Sequence, residues 1–461
     1  MNWLREHRWE VGIVVLALIV RLLYLGISIQ TYGDGNLLTA VSGADGYFTI
    51  SQNLIHGHGL TDSSTPPYAP YSFRPPLMHF FIAGAYYVFG NFWGVILLQI
   101  LIGSFLPLLG MKLASYLVES KKLQRVAGVL LAIEPSAILY SNMFYSEIFF
   151  ILLFLGSLWA LFAYFKDRRL SLFALSAFLL GLATLTRPTT QYIPLIVAAV
   201  VLWESRAHLS RKTLIALGTY AAIFLLTLAP WIYRNYAVFG VAGISPQTGV
   251  ALRMVLLPTV LSIDKGTTFQ SEYAALEASG LRGPNDASML DGAPYEREAI
   301  PLLLAHPKAL VLSALNSGWS FFVSDGTFDF LRHIEIRSAE MLGKPSMAAL
   351  FGDPAGFVSY FARNLWGPLA FILLGRLVWI GITAAFLFGA WRYLRTYGAR
   401  PIAVLAFIIV LYMAATASIT GYGLTARYRL PVNVFILTFA LYGITVLAPR
   451  IVAATKRLRH V

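Results

Sequence analysis

The sequence predicts an all-α polytopic membrane protein with about ten transmembrane helices, juxtamembrane helices and a larger extracytoplasmic loop region. Of its 461 residues, 57% are hydrophobic and only 12% are charged, whereas soluble globular proteins carry about 25% charged residues. Apolar segments about as long as a bilayer is thick recur along the chain, and basic residues concentrate in every second connection between them. Together these observations exclude a soluble protein.

The predicted spans are segments long enough to cross a hydrocarbon core about 30 Å thick. They lie at residues 11–30, 92–118, 124–141, 145–165, 170–187, 189–204, 213–232, 368–394, 400–418 and 429–448. No small-residue cleavage site follows the first segment, so we expect a signal anchor rather than a cleaved signal peptide. The chain contains no cysteine, which excludes disulfides and thiol chemistry.

The basic residues of the connections predict the orientation of the chain. If the N-terminus is cytoplasmic, the following basic residues are all cytoplasmic: Lys121, Lys122, Arg125, Lys166, Arg168, Arg169, Arg206, Arg211, Lys212, Arg392, Arg395, Arg400, Arg450, Lys456, Arg457 and Arg459. This agrees with the positive-inside rule and places both termini in the cytoplasm. It also accounts for the net charge of +13 without nucleic-acid binding.

One apolar segment, Leu77–Phe89, is too short to be assigned as a span. Thirteen helical residues rise only about 20 Å, and a crossing here would move every later basic connection to the outside. We therefore expect a juxtamembrane or re-entrant helix on the outer face. Pro75 and Pro76 suit its first turn, where their missing amide hydrogens need no partner.

This topology divides the chain into three parts. An N-terminal membrane module, 1–232, contains the first outer loop at 31–91; an extracytoplasmic loop region covers 233–367; and C-terminal transmembrane helices occupy 368–461. Within the second part, the apolar piece 299–323 is interrupted by His306-Pro307, which favours helices that lie on the membrane or cap the bundle. A spanning piece, which would need a second crossing nearby, is the alternative.

The first outer loop contains the stretch GADGYFTISQNLIHGHGL. Tyr47, Ile50 and Leu54 fall at helical spacing, and Gly57 is a stop signal. The pattern predicts a short amphipathic helix with Asp45 at its N-terminal end. From the local sequence alone, Asp45 is either a carboxylate that caps this helix or a catalytic residue.

Two carboxylates and five arginines lie at the predicted outer face. They are Asp45, Glu147, Arg74, Arg187, Arg234, Arg427 and Arg429. A single arginine at a helix end can anchor to lipid headgroups, but these arginines adjoin prolines and aromatic residues, in RPP, RPT, PWIYRN and RYRLP. Because a guanidinium binds phosphate oxygens bidentately, the set predicts a site for a membrane-held phosphate such as a polyprenyl phosphate.

Other polar residues give weaker indications. His56 and His58 could supply imidazoles to a divalent cation, with oxygens from Asp45 or Glu147, although two histidines in a glycine-rich loop are more often ordinary polar residues. Arg21, near the middle of the first span, should face the bundle interior and is predicted to be structural. No nucleotide-binding glycine motif occurs at a strand–helix junction, which argues against a soluble nucleotide-sugar donor.

Several stretches together resemble the GT-C superfamily of polyprenyl-phosphate-sugar-dependent glycosyltransferases, in the branch of the protein O-mannosyltransferases and the lipid A aminoarabinose transferases. They are the first-loop stretch above, FRPPLMHFFIAGAYYVFG, YSNMFYSE, LTRP, APWIYRNYAVFG and AHPKALVL. Their order and shared sidedness make the combination specific, and they cover roughly residues 10–330. RYRLP also fits the last outer loop.

This resemblance implies an inner (plasma) membrane enzyme that catalyses an inverting sugar transfer at the outer face. The donor would be a polyprenyl-phosphate-linked sugar and the acceptor a protein, a lipid or a glycan. It maps the catalytic base onto Asp45 and the acidic residue of the second outer loop, a second acid or metal ligand, onto Glu147. The outer arginines noted above remain the candidates for binding the donor phosphate, with Arg74 and His79 the weaker candidates for the site. Many members have an Asp-Glu pair where this chain has Asp45-Gly46, which favours Glu147 as the second acid.

Two other classes of function fit a polytopic chain. A transporter or lipid flippase would carry charged or broken helices near the bilayer midplane and weak internal repeats, but the ionisable residues mostly gather at one face and no convincing repeat is found. A polysaccharide polymerase or ligase would also have outer arginines, and would use a diphosphate-linked oligosaccharide.

Overall fold

The structure, a computed structural model, describes residues 6–32, 37–43, 45–278, 287–336, 355–356, 359, 368–419 and 425–458. Side chains from residue 449 onward, most of 337–367 and the connection 420–424 lie outside the described part, and with them part of the predicted loop region and the basic C-terminal tail. All regular elements of the described residues are helices. The predicted all-α polytopic fold is confirmed.

The N-terminal part contains the helices that frame the first outer loop. They are α1 (Arg8–Tyr32), α2 (Leu37–Ser42), α3 (Tyr47–Ile55), α4 (Leu77–Phe89), α5 (Phe92–Ala114), α6 (Lys121–Ala132), α7 (Pro135–Ser141), α8 (Glu147–Asp167), α9 (Leu170–Thr186), α10 (Ile193–Glu204) and α11 (Arg211–Phe239). A 3₁₀ turn, Pro188–Thr190, joins α9 to α10.

The remaining helices form the second outer region and the C-terminal spans. They are α12 (Gln247–Ala251), α13 (Leu257–Lys265), α14 (Phe269–Ala278), α15 (Met289–Ala305), α16 (Pro307–Val323), α17 (Thr327–His333), α18 (Pro368–Tyr397), α19 (Pro401–Ile419), α20 (Thr425–Arg429) and α21 (Asn433–Leu458). A π-helical turn, Leu252–Leu256, joins α12 to α13, and a 3₁₀ turn, Leu430–Val432, joins α20 to α21.

In the described residues, seven helical stretches are long and apolar enough to cross a membrane, or nine if two bent pairs each form one span. The first pair, α6 and α7, covers the predicted span 124–141 and bends by 53°. The second, α15 and α16, bends by 103° at the predicted break before Pro307. The predicted spans 170–187 and 189–204 correspond to the shorter helices α9 and α10, of 17 and 12 residues.

Close backbone packing joins two of the C-terminal spans. A Cβ atom added to Gly389 of α18 would lie 1.9 Å from the carbonyl oxygen of Phe439 in α21, and one added to Gly443 would lie 2.6 Å from the carbonyl oxygen of Ala385. Small residues let membrane helices approach to this distance. The pair of glycines therefore holds α18 directly against α21.

The C-terminal end of α16 packs against the middle of α18. The hydroxyl of Thr383, halfway along α18, donates to the carbonyl oxygen of Phe322 at 2.9 Å. The ring of Phe322 also stacks on that of Phe386, with centroids 6.1 Å apart. This packing connects the outer region to the core of the bundle.

Arg21 faces the bundle interior, as predicted, and is 1% exposed. Its guanidinium donates to the hydroxyl of Ser141 at 2.9 Å and to the carbonyl oxygens of Ala17 and Ala132, both at 3.0 Å. Ala132 ends α6, so this arginine supplies hydrogen bonds at the bend between α6 and α7.

Candidate active site

Asp45 lies in the short connection between α2 and α3 and does not cap the following helix. The residue at the N-cap position is Gly46, with φ at 73°, and no side chain caps α3. This φ lies in the left-handed region that favours glycine, so a glutamate at position 46 would be strained. The capping interpretation of Asp45 is therefore wrong, and its carboxylate is engaged elsewhere.

Arg427 connects the two candidate carboxylates. Its Nη2 donates to Oδ2 of Asp45, and its Nε donates to Oε1 of Glu147. The guanidinium also lies over the ring of Tyr145, 4.6 Å from the centroid, and Tyr140 contributes a second ring at 5.2 Å. A residue of the last predicted outer loop thus contacts residues of the first two.

Arg74 approaches Asp45 from the other side. Its Nη2 lies 3.5 Å from Oδ1 of Asp45, and its Nη1 donates to the Tyr71 hydroxyl at 3.0 Å. The rings of Tyr47 and Phe73 lie 5.3 and 5.2 Å below the guanidinium. Cation–π contacts of this kind fix a charged group without neutralising it.

Arg187 completes the group. It ends α9, and its Nη1 donates to the same Oε1 atom of Glu147 that Arg427 contacts. Its guanidinium lies 5.8 and 5.5 Å from the ring centroids of Phe150 and Tyr428. We refer to Asp45, Glu147, Arg74, Arg187 and Arg427 as the carboxylate–arginine cluster; its three cations and two anions leave one net positive charge.

Small cavities adjoin this cluster. One of about 10 Å³ is lined by Glu147, Arg187 and Arg427. It shares Thr189 and Thr416 with a larger cavity of about 110 Å³, whose walls also include Gln191, Gln247, Thr248 and Tyr412. Amide and hydroxyl groups therefore lie next to the arginines.

The surroundings of Asp45 keep it ionised. Burial by itself raises the pKa of this carboxyl, but Arg427 and Arg74 outweigh burial and hold the pKa below its ordinary value. In the short helix α4, burial and the charge of Arg74 lower the pKa of His79 to about 3. His79 is therefore neutral at physiological pH.

Comparison with known proteins gives a family match over part of the chain. Residues 73–233, about a third of the chain, match the sequence model of the dolichyl-phosphate-mannose-protein mannosyltransferases, and this region contains Arg74, Glu147 and Arg187. The chain has a GT-C glycosyltransferase-like fold. No curated protein shows significant similarity to it.

Solved structures with a similar fold include those of an archaeal oligosaccharyltransferase. The oligosaccharyltransferase AglB of Archaeoglobus fulgidus, in complex with an inhibitory peptide and a dolichol-phosphate, matches 100% of the chain with a TM-score of 0.52 and 13% identity. An apo form of the oligosaccharyltransferase from the same organism matches 99%, with a TM-score of 0.50 and 16% identity. The chain spans about half of these proteins, 52% and 53%, and at such identities the likeness shows the fold alone.

Two of the predicted phosphate-binding arginines lie apart from the carboxylate–arginine cluster. Arg234 donates to the carbonyl oxygen of Tyr71 and to Oδ1 of Asn235, both at 2.9 Å. Arg429 is fully buried, donates to Asn433 and to the carbonyl oxygen of Phe321, and lies 3.4 Å from the centroid of the Trp379 ring. A phosphate-binding role for either stays a prediction.

The residues around the carboxylate–arginine cluster do not fit a divalent cation. Asp45 Oδ2 and Glu147 Oε1 both accept from guanidinium groups, and Asp45 Oδ1 faces Arg74. His58 stacks on Tyr68 with centroids 4.0 Å apart, and the His56 ring lies 6.3 Å from that of His58. Within the described ranges, no three His, Asp or Glu side chains are arranged to hold a metal ion.

One carboxylate near this site, Asp329, was not predicted from the sequence. Asp329 lies on α17, and burial raises its pKa to about 6, against the opposing charges of Arg332 and Arg427. An available signal was its position: FFVSDGTFDF places Asp325 and Asp329 among aromatic residues at the end of an apolar segment. Buried carboxyls with raised pKa values are common near functional sites.

Proposed function

We propose that this protein transfers a sugar from a polyprenyl-phosphate donor to an acceptor at the extracytoplasmic face, with inversion at the anomeric carbon. The observation that carries the proposal is the carboxylate–arginine cluster, in which Arg427 joins Asp45 to Glu147. It brings residues of the first, second and last predicted outer loops to one point.

The charge of the cluster suits a lipid phosphate. A sugar linked to a polyprenyl phosphate through a phosphodiester carries one negative charge, and the cluster carries one net positive charge. When the bond between the anomeric carbon and the phosphate oxygen breaks, its electron pair stays on that oxygen, and the leaving phosphate gains a second negative charge. Arg187, Arg427 and Arg74 would stabilise this charge as it develops.

Asp45 is proposed as the general base. The acceptor hydroxyl attacks the anomeric carbon, a new carbon–oxygen bond forms, and the hydroxyl proton passes to the Asp45 carboxylate. A phosphate that recruits Arg427 would also weaken the contact of Arg427 with Asp45. Donor binding would then free this carboxylate to accept a proton.

Glu147 is proposed to hold the phosphate-binding arginines in place. Its side chain is 2% exposed, and one oxygen accepts from both Arg187 and Arg427. Without this carboxylate, two guanidiniums would lie side by side with no buried counter-charge. Its other oxygen, Oε2, is buried and has no hydrogen-bond partner in the described ranges, so a role as second acid is the alternative.

The comparisons support a lipid-linked donor. The family that matches residues 73–233 is described by its dolichyl-phosphate-mannose donor, and the AglB structure was solved with a dolichol-phosphate and a peptide. We propose a donor of the same class here. The acceptor would be a protein, a lipid or a glycan outside the cytoplasm. The protein would lie in the plasma membrane with both termini on the cytoplasmic side.

A panel of donors tests the function. Purified protein in lipid nanodiscs would be given radiolabelled polyprenyl-phosphate sugars one at a time, and transfer or hydrolysis would be followed by chromatography. We expect turnover of at least one donor and none of a nucleotide sugar. Movement of intact donor across a proteoliposome membrane, without any covalent product, would instead identify a flippase.

A further inference from the structure

A large cavity lies at the membrane face opposite to the carboxylate–arginine cluster. It has a volume of about 670 Å³ and opens between the C-terminal ends of α5, α8 and α18 and the middle of α21. Glu147 begins α8 and Lys166 lies in its last turn, and these 19 residues rise about 28 Å. This cavity, which we call the tyrosine cavity because four tyrosines line it, is therefore separated from the cluster by about the thickness of the bilayer.

Tyrosine rings form much of the cavity wall. Tyr116, Tyr393, Tyr397 and Tyr442 all line it. The Tyr393 hydroxyl donates to the carbonyl oxygen of Leu117 at 3.0 Å. Its ring lies 4.8 Å from that of Tyr397 and 5.5 Å from that of Tyr442. These contacts give the cavity a fixed aromatic lining.

Two cations also line the cavity. Lys166 comes from α8 and Arg400 from the connection between α18 and α19. The guanidinium of Arg400 lies 5.1 Å from the Tyr397 ring centroid. Neither cation forms an ion pair with a carboxylate in the part of the chain that the structure describes, and Glu119 is the one acidic residue of the described lining.

We propose that the tyrosine cavity binds the phosphate headgroup of an anionic phospholipid from the adjacent leaflet. Basic pockets between membrane helices recognise such headgroups, and tyrosine is the residue enriched at headgroup level. The volume lies within the range of about 300–1,000 Å³ common for small-molecule sites. Lys166 and Arg400 bind the phosphate, and the tyrosine rings contact the glycerol and the first methylenes of the acyl chains.

Native mass spectrometry of the full chain tests this proposal. Protein freed of co-purified lipid is titrated with phosphatidylglycerol, with phosphatidylcholine and with inorganic phosphate. The test variant is Lys166→Gln/Arg400→Gln. The matched control, Arg211→Gln/Lys212→Gln, removes two exposed cations at the start of α11, outside the described lining.

We expect phosphatidylglycerol to bind more tightly than phosphatidylcholine, and the test variant to lose affinity about 30-fold, at about fivefold per basic residue. The control should bind within about twofold of the unaltered protein. Equal binding of both lipids, equal losses in both variants, or saturation by inorganic phosphate without lipid preference would overturn the proposal. If the double variant does not elute as a folded species, Arg400→Gln alone should lose about fivefold, and unchanged affinity would count against the site.

Discussion

The guanidinium of Arg427 donates to the carboxylate of Asp45 across 382 positions of sequence. This contact closes the last described outer segment over the first, and the same guanidinium also reaches Glu147. Asp45 is thereby held by a residue that a donor phosphate would compete for.

Arg427→Gln should abolish most of the sugar transfer and destabilise the protein. The change removes a cation shared by Asp45, which is 22% exposed, and Glu147, which is 2% exposed. Breaking the buried pair with Glu147 costs about 3–5 kcal/mol. Loss of one preorganised donor to a developing anion lowers kcat by about 10²–10³. Donor turnover and thermal unfolding in detergent measure the two effects, and normal values of both would contradict the bridging role.

Glu147→Gln should lower stability by about 3 kcal/mol or more, because Arg187 and Arg427 lose their shared buried counter-charge. The matched control is Glu204→Gln, which breaks the Arg168–Glu204 ion pair at the opposite end of the neighbouring helices. The Arg168 side chain of that pair is half-exposed, so loss of the pair should lower the free energy of unfolding by about 1 kcal/mol or less. If the Glu147 variant unfolds like the control yet loses transfer, Glu147 acts as a second acid instead.

Arg74→Gln should move the acidic limb of the pH–rate profile to higher pH. The base must be ionised, and Arg74 helps to hold the pKa of Asp45 below its ordinary value against burial, which raises it. With this cation removed, the pKa rises, so transfer is lost at a higher pH as the solution is acidified. The control Arg206→Gln changes an exposed residue at the opposite face and should leave the acidic limb of the profile at the same pH. If Arg74→Gln did not move this limb either, Asp45 would not be the titrating group.

Arg187→Gln and Arg429→Gln should have different consequences. Arg187 belongs to the cluster, and loss of a charge-assisted hydrogen bond to the donor phosphate, worth about 1.5–3 kcal/mol, raises the KM for donor about 10- to 100-fold. Arg429 contacts Asn433, Phe321 and Trp379, so its loss should lower the unfolding temperature and leave KM unchanged. Steady-state kinetics and thermal unfolding distinguish them, and the reverse pattern would place Arg429 at the phosphate.

Elements with a local signal were predictable. The helix Leu77–Phe89 has the bounds read from the sequence, because the prolines before it and Gly90 after it mark both ends. The helix after Asp45 likewise follows its apolar spacing. What the local pattern left open was whether Asp45 caps that helix, since the answer depends on Gly46 adopting a left-handed conformation.

Contacts between distant segments were not predictable. No feature of RYRLP shows that one of its arginines reaches Asp45, since the contact depends on how the last described outer segment folds over the bundle. The separation of Arg427 from Arg429 did have a signal. The two lie two positions apart on the short helix α20, and residues at that spacing do not face the same way.

In the proposed reaction, the Asp45 carboxylate takes the proton of the acceptor hydroxyl. The variant Asp45→Asn keeps the shape of the side chain and removes its basicity. Single-turnover transfer from a labelled polyprenyl-phosphate sugar is measured for this variant in nanodiscs, and donor binding is measured in parallel. The variant should still bind the donor, and its rate of sugar transfer should fall by a factor of at least about 10², which is the lower end of the range for loss of a general base. Transfer at the unaltered rate by a folded Asp45→Asn protein would contradict it.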